Sequence, residues 1–173
     1  MQNDLILAID LGTQSLRAML FDNTGQLILK RATKMHYQRP DALTVEIDAT
    51  IFWQKLTEVC QALWADDAAL KKRVAAVTLT TQRASVVALD MAAEPVIPAI
   101  IWMDKRRVEK AHIPTLGFWW ETAFKLAGVT ETVRGFQADC EIAWIKTYRP
   151  EAYAKIQRYG LVSSYLNWQL CGQ

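Results

Sequence analysis

The chain is organised around residues 5–17, which read LILAIDLGTQSLR. The run from Leu5 to Ile9 is apolar without alternation, the pattern of a strand that is covered on both faces. Asp10 follows at the end of this strand, where a carboxylate is costly to bury without a partner. Gly12 then permits a close backbone approach that a side chain would block. This order of residues predicts a buried strand, a tight polar turn and the start of a second strand.

The polar side chains of this turn are suited to binding phosphate. Thr13 and Ser15 offer hydroxyl groups and Arg17 adds a fixed positive charge, while Asp10 provides a carboxylate for Mg²⁺. The same residue types are common in turns, so a plain hairpin turn is the alternative for this segment alone. A dinucleotide-binding fingerprint is disfavoured, because it needs three glycines at the start of a helix and this segment has only Gly12.

Composition narrows the class of protein. The 173 residues are 51% hydrophobic and 22% charged, which is typical of a globular domain. The net charge of +2 is too small to indicate nucleic acid or a membrane surface as a partner. We see neither an apolar run that could span a bilayer nor the pattern of a secretory signal. Cys60, Cys140 and Cys171 match no zinc or disulfide spacing, so we expect reduced thiols in a cytoplasmic protein.

Hydrophobic periodicity predicts how the first half of the chain folds. Residues 15–22 and 27–32 are two further strands joined by a tight turn, so three antiparallel strands open the chain. Residues 33–44 are polar and are predicted to form a loop. Asp48 is a good N-cap for the helix that follows. The apolar face of that helix consists of Ile51, Phe52, Leu56, Val59, Cys60 and Leu63.

The second half of the pattern alternates between strands and helices. A buried strand is predicted over residues 74–80, and shorter strands over 86–89 and 99–102. Gly128 and Gly172 are suited to ending helices, and Ser163 to capping one. The helices are expected at residues 118–127, 141–148, 151–159 and 163–170. Strands first, followed by alternating helices and strands, argue for an α/β sandwich of the ribonuclease-H-like type.

Two polar stretches come directly after predicted strands, where ligands of open α/β sheets bind. Gln82 can hydrogen-bond to hydroxyl groups, and Arg83 can orient a polyol or screen phosphate charge. Trp102 offers a flat wall for sugar carbons, and Asp104 offers a carboxylate for a hydroxyl group. Each stretch also has a plain interpretation: a solvated loop for the first, and a core tryptophan before a basic helix start for the second.

Taken in order, these stretches resemble the N-terminal domain of the FGGY family of carbohydrate kinases, within the actin/hexokinase/Hsp70 ATPase superfamily. The resemblance spans the whole chain, and its Gln-Arg and Trp-x-Asp elements are most similar to the glycerol kinase side of the family. An Hsp70-like ATPase would have neither element. The resemblance implies an α/β, actin-like ATPase domain with a mixed sheet that opens with three antiparallel strands and has helices on both faces. The motifs lie at residues 9–17, 81–83, 98–107 and 164–172.

The resemblance also implies ATP and Mg²⁺ as cofactors and a set of site residues. Asp10 would help to position Mg²⁺ through water. The nucleotide phosphates would be faced by Gly12, Thr13, Gln14, Ser15 and Arg17. The sugar or polyol would be bound by Gln82, Arg83, Trp102, Asp104 and Phe136.

Two departures from the family pattern concern the substrate. Glycerol kinases have a glutamate directly after the arginine of the Gln-Arg element, where this chain has Ala84. They have a substrate-binding tyrosine where this chain has Phe136. Both changes remove polar contacts to glycerol, and buried hydrogen-bonding groups discriminate strongly between substrates. A sugar or a longer polyol is therefore expected in place of glycerol. Ser164 stands where many members have an aspartate, and we assign no consequence to this difference.

The family's general base, its second phosphate motif and its adenosine pocket would all lie beyond Gln173. Residues 1–173 are therefore expected to be the N-terminal part of the first domain, without a catalytic base and inactive alone. The expected reaction of the whole enzyme is ATP-dependent phosphorylation of a sugar or polyol hydroxyl. A non-catalytic sugar-binding protein on the same fold and a chaperone-type or cytoskeletal ATPase stay open as alternatives. Expected partners are a sugar or polyol and, as a possible assembly, a second copy of the chain, with neither nucleic acid nor membrane.

Overall fold

A computed structural model describes residues 4–172, whose eight strands form two four-stranded sheets. The first sheet consists of β1 (Leu5–Leu11), β2 (Ser15–Phe21), β3 (Leu27–Lys34) and β5 (Val74–Thr81). The second consists of β4 (Glu46–Ile47), β6 (Val86–Leu89), β7 (Ala99–Ile100) and β8 (Arg158–Leu161). The helices are α1 (Thr50–Asp66), α2 (Phe118–Leu126), α3 (Thr130–Asp139), α4 (Glu141–Tyr148), α5 (Pro150–Tyr153) and α6 (Val162–Cys171).

The first sheet is mixed, with the strand order β3-β2-β1-β5. β1 pairs antiparallel with β2 and parallel with β5, and β2 pairs antiparallel with β3. The predicted opening of three antiparallel strands is therefore confirmed. In this register Asp10 of β1 lies opposite Arg17 of β2 and beside Thr80 of β5. The ends of β1 and β5 that carry the predicted site residues thus lie side by side.

The main core lies between the first sheet and helices α1 and α6. Alternate residues of β1 from Leu5 to Leu11 are buried in it, together with Val162 and Leu166 of α6. The buried face of α1 confirms its predicted apolar spacing, since Phe52, Leu56, Val59 and Leu63 are all buried. Burying one such side chain stabilises the fold by about 1.5–3 kcal/mol. The N-cap residue of α1 is Ala49 rather than the predicted Asp48, because the helix begins at Thr50, but the Asp48 carboxylate still accepts a hydrogen bond from the Thr50 amide at 2.9 Å.

The predicted fold class is confirmed, but the sheet is covered differently from the expectation. Helices α1 and α6 pack on the same face, and the alternate residues of β1, including Ile6, are partly or largely exposed on the other. The unbroken apolar run at residues 5–9 therefore does not mark a strand that is buried on both sides within residues 4–172. β5 was expected to be buried and is mostly exposed, and it packs Val74 and Leu79 against the main core as partly buried residues.

The helix predicted over residues 151–159 is wrong in its second half, which contributes a strand to the second sheet. Helix α5 ends at Tyr153, and residues from Arg158 onward form β8, which pairs antiparallel with β6. This pairing satisfies backbone groups of β6 that would otherwise lie at a sheet edge. Ser163 is also not the predicted cap, because α6 already begins at Val162. Gly172 ends α6 in the left-handed conformation (φ 72°), as predicted.

Helices α2 to α5 follow one another along the chain, and Ile145 of α4 packs against Val86 and Ile100 of the second sheet. The sequence prediction did not include α3, whose central Gly135 is a poor helix former. Gly128 ends the α2 segment with a φ of 69°, as predicted. Among residues 4–172 there is no helix with the length and apolar character needed to cross a membrane.

Candidate functional site

The turn between β1 and β2 has a geometry that favours a glycine at position 12. The Gly12 amide donates a hydrogen bond to the Ser15 carbonyl oxygen at 3.0 Å. A Cβ atom added to Gly12 would lie 3.3 Å from that same oxygen, which is closer than side chains normally approach. The Gln14 carbonyl, next to Ser15, accepts the amide of Met35 at 3.0 Å and ties the turn to the end of β3. The turn is therefore tight and anchored at both of its ends.

Asp10 and Arg17 were expected to serve a metal ion and a phosphate separately, and the structure pairs them. Arg17 Nη1 donates to Asp10 Oδ2 at 2.7 Å across β1 and β2. The carboxylate keeps a second oxygen, Oδ1, and carboxylate oxygens suit Mg²⁺, which usually retains several waters and few protein ligands. Within residues 4–172 no three His, Cys, Asp or Glu side chains cluster as a metal cage. Asp10 therefore fits a magnesium ion that is held mainly by water and phosphate.

The loop after β5 lies beside this turn. The Gln82 amide donates to the Leu11 carbonyl oxygen at 2.7 Å, which continues the pairing of β1 with β5. The side chain of Gln82 donates to Tyr37 Oη at 3.3 Å, and its Oε1 atom is buried without a hydrogen-bond partner among the described residues. Arg83 is exposed. Ala84 follows with a φ of 52°, in the left-handed region that residues with a Cβ rarely adopt.

Trp102 lies at the junction of the turn and this loop. Its indole Nε1 donates to Thr13 Oγ1 at 2.9 Å, and its backbone amide donates to Ser85 Oγ at 3.2 Å. The side chain is half-exposed and lines an open cavity of about 610 Å³ together with Ala84 and Asp104. The structure thus brings the predicted phosphate turn and the predicted sugar wall into direct contact.

Asp104 lines the same cavity, but the fold already uses its carboxylate. Its side chain is 5% exposed. Oδ2 accepts the Val45 amide at 2.9 Å, and Oδ1 accepts the Arg106 amide at 2.9 Å. The Arg106 guanidinium also donates to both oxygens at 3.0 Å. This geometry favours a structural role for Asp104 over the predicted contact with a sugar hydroxyl.

Arg106 is a central residue of the cavity wall that the sequence prediction did not single out. Its guanidinium lies 2.8 Å from Asp104 and 3.3 Å from Glu46, and 4.4 Å from the ring centroid of Trp144. Its side chain is 15% exposed, compared with 67% for that of the neighbouring Arg107. Glu46 and Trp144 lie far from Arg106 in the sequence, and no local spacing distinguishes Arg106 from Arg107.

Three of the five predicted sugar residues do not line this cavity. Phe136 lies on α3 and is exposed, and it does not line the cavity beside Trp102. The α3 residue in the cavity wall is Asp139, which accepts a hydrogen bond from Arg107 Nη2 at 2.7 Å. The equivalence of Phe136 to a substrate-binding tyrosine therefore stays a prediction. Gln82 and Arg83 lie in the adjoining loop rather than in the cavity lining.

Comparison with known proteins gives relatives over nearly the whole chain. The glycerol kinase of Dechloromonas aromatica (strain RCB) is 31% identical over 183 residues, which cover 98% of this chain and 34% of that protein. The chain thus spans about a third of the length of the curated relatives it matches.

Solved structures share the fold. The xylulose kinase from Rhodospirillum rubrum matches with a TM-score of 0.79 and 19% identity, over 98% of this chain and 35% of that one. The Plasmodium falciparum glycerol kinase with ADP matches with a TM-score of 0.70 and 19% identity, over 99% of this chain and 35% of that one. At these identities the likeness shows the fold alone, that of carbohydrate kinases with the actin-like ATPase architecture.

The family itself follows from the sequence match. The model of the N-terminal domain of the FGGY family of carbohydrate kinases matches residues 5–173, which is nearly the entire chain. This match includes the turn at Gly12, the loop at Arg83 and the segment at Trp102, in the order that the sequence analysis found them. The chain therefore belongs to the FGGY family of carbohydrate kinases.

Proposed function

We propose that this chain forms part of an enzyme that transfers the γ-phosphoryl group of ATP to a hydroxyl group of a sugar or polyol. Family membership supports a kinase of this class. The observation that carries the proposal is the 2.9 Å hydrogen bond between Trp102 and Thr13, because it joins a candidate sugar wall to a candidate phosphate turn. A hydroxyl acceptor and a phosphate donor must be held side by side for direct transfer.

In this proposal the chain contributes positioning and electrostatic stabilisation, the two main sources of catalysis in phosphoryl transfer. The tight turn at Gly12 and the Thr13 hydroxyl bind phosphate oxygens, and the Arg17 guanidinium neutralises their charge. Asp10 would hold Mg²⁺ through water, and the ion would supply further neutralisation of the phosphate charge. Arg83 orients the substrate hydroxyl groups against the Trp102 ring. We assign no catalytic base within the chain.

We further propose a substrate that is larger than glycerol. Ala84 is small and lines the cavity of about 610 Å³, which leaves space where the family's glycerol kinases have a glutamate. The structures that share the fold include proteins described as xylulose kinases and a gluconate kinase. A five- or six-carbon sugar, sugar acid or polyol is therefore the substrate class that we propose for the whole protein.

A second candidate function is sugar binding without catalysis. The Asp10–Arg17 pair favours it, because the two charged groups that would serve Mg²⁺ and phosphate satisfy each other. The two functions differ in whether the sugar stimulates ATP turnover. They agree in predicting a sugar site beside Arg83 and Trp102.

The test is a kinetic comparison of the protein encoded by the whole source gene with the 173-residue chain. Glycerol, xylulose and gluconate are each supplied with MgATP, and ADP release is measured. We expect turnover with a substrate larger than glycerol by the whole protein and none by the 173-residue chain. Sugar-dependent ADP release by the chain alone would refute the second expectation. Sugar binding without any turnover by the whole protein would favour the non-catalytic alternative.

The role of Arg83 is tested by Arg83→Ala in the same protein, with Arg134→Ala on α3 as the matched control at an exposed arginine. Arg83→Ala should lower kcat/KM for the sugar by roughly 100-fold, the effect of about 2.7 kcal/mol from a lost charged contact. The Kd for ATP should change by less than about threefold. Equal losses in sugar use and ATP binding would rule out a role for Arg83 in the sugar pocket.

A further inference from the structure

A continuous set of contacts connects the loop of Arg83 to the phosphate turn. Ser85 is fully buried, and its hydroxyl oxygen accepts the backbone amide of Trp102 at 3.2 Å. The Trp102 side chain then reaches Thr13, 89 positions away in the sequence, at 2.9 Å. The Gln82 amide also donates to the Leu11 carbonyl oxygen at 2.7 Å, and this hydrogen bond joins the end of β5 to the end of β1. The candidate sugar side and the candidate phosphate side are therefore mechanically connected.

The chemistry of the indole group fixes the direction of the bond to Thr13. An indole N–H is a donor only, so the Thr13 oxygen must be the acceptor. A threonine hydroxyl has one hydrogen, and accepting this bond leaves that hydrogen free to be donated elsewhere. Phosphate oxygens accept hydrogen bonds. The bond from Trp102 therefore orients the Thr13 hydroxyl as a donor, which is the state that a phosphate requires.

The loop on the other side of Trp102 is held in an uncommon conformation. Ala84 has a φ of 52°, and such a backbone persists only where neighbouring contacts fix it. Ser85 immediately follows Ala84 in the chain and is buried, and the hydrogen bond that it accepts from Trp102 is one such contact. A ligand that contacts Arg83 or the Trp102 ring therefore acts on the same residues that set the position of the indole N–H.

We propose that the Trp102 indole N–H is a positioning group that couples the sugar side of the site to the Thr13 hydroxyl in the phosphate turn. The proposal rests on the kinase function proposed above and goes beyond the use of Trp102 as a wall for the sugar. It separates two properties of one side chain. The ring face determines sugar affinity, and the N–H determines how well the phosphate is oriented for transfer.

The first experiment tests the bond in the 173-residue chain, without turnover. The tryptophan indole groups are labelled with ¹⁵N, and the Trp102 signal is identified by its loss in Trp102→Phe. Thr13→Val should shift this signal and speed its hydrogen exchange, whereas Thr13→Ser, which keeps the hydroxyl, should leave it near its original position. A Trp102 signal that does not respond to Thr13→Val would overturn the proposal.

The second experiment measures the coupling in the whole protein. Trp102→Phe keeps a ring and removes the N–H, so it should lower kcat by roughly tenfold, as one lost hydrogen bond would, and change the KM for the sugar by less than about threefold. Thr13→Val should have a similar effect on kcat, Thr13→Ser should restore most of it, and the double variant should be no slower than Thr13→Val. Trp119→Phe, at an exposed tryptophan of α2, is the control and should leave both constants unchanged.

Failure of this proposal is distinguishable from failure of the proposed function. Additive losses in the double variant, or a raised KM with an unchanged kcat in Trp102→Phe, would overturn the coupling while sugar-dependent turnover remained. If no sugar supports turnover in the unmodified protein, the proposed function fails, and the coupling fails with it.

Discussion

The Arg106 guanidinium is expected to stabilise the fold far more than its neighbour Arg107. We consider Arg106→Met, which keeps the length and apolar packing of the side chain against Trp144 and removes the charge. The variant leaves the Asp104 carboxylate, which is 5% exposed, without its ion-pair partner. Removing one partner of a buried ion pair costs about 3–5 kcal/mol, because a buried charge is left uncompensated.

The loss is expected near the lower end of that range. Asp104 keeps the backbone amides of Val45 and residue 106 as donors after the substitution. Loss of the guanidinium above Trp144 adds up to roughly 1 kcal/mol. We therefore expect a loss of about 3 kcal/mol in the free energy of unfolding. For a chain of this length that corresponds to a Tm that is lower by roughly 6–12 °C.

The assay is urea unfolding of the 173-residue chain followed by circular dichroism, and the neighbouring residue offers a matched control. Arg107→Met is the same substitution one position along, at a side chain that is 67% exposed and paired with Asp139. A surface pair is worth about 0–1 kcal/mol, so this variant should unfold almost like the unmodified chain. Equal losses for Arg106→Met and Arg107→Met would refute the reasoning, since the difference rests on the burial of Arg106 and on its contacts with Asp104 and Trp144.

Three further predictions concern the main core, the turn at Gly12 and two tyrosine side chains. Phe52→Ala should lower the free energy of unfolding by about 3–5 kcal/mol, because Phe52 is fully buried. Gly12→Ala should lower the free energy of unfolding relative to Gly117→Ala and weaken nucleotide binding, because its Cβ would lie 3.3 Å from the Ser15 carbonyl oxygen. The Cβ added at Gly117 meets nothing within 4 Å, so this variant is the matched control. Burial raises the pKa of Tyr165, which is 5% exposed, and partial burial raises the pKa of Tyr37, so the folded chain holds these protons to higher pH than the unfolded chain does. The free energy of unfolding should therefore be unaffected by these groups below about pH 10 and fall as the pH rises further, which urea titrations across that range will check.

The local sequence pattern was sufficient to predict those strands and helices whose packing partners are close in the sequence. β1, β2 and β3 are joined by short turns, and the helical spacing of Phe52, Leu56 and Leu63 predicted the buried face of α1. Which faces of the first sheet are buried could not be predicted from local pattern. The run at residues 5–9 has the composition of a strand that is buried on both faces, but what packs on Ile6 depends on segments far away in the chain.

The same limit explains the two clearest omissions. β8 forms because Arg158–Leu161 can pair with β6, about 70 residues earlier in the chain, and no local signal of residues 151–161 outweighed their helical composition. Arg106 and Arg107 are adjacent and identical in type, and only the tertiary positions of Glu46 and Trp144 make one of them buried. The motif order predicted the region of the candidate site, and the long-range contacts decide which of its side chains the fold itself uses.

The pairing of Asp10 with Arg17 bears directly on whether this turn can bind a nucleotide. Both side chains are partly exposed, and an ion pair of this kind contributes only about 0–1 kcal/mol. A phosphate offers Arg17 a charge-assisted hydrogen bond that is roughly twice as strong as a neutral one, and a Mg²⁺ ion offers Asp10 a more concentrated positive charge. Exchanging the pair for these two partners therefore costs little and keeps every charge compensated. The ion pair is accordingly compatible with the proposed kinase, because it holds both groups at the turn where the proposal places the nucleotide phosphates.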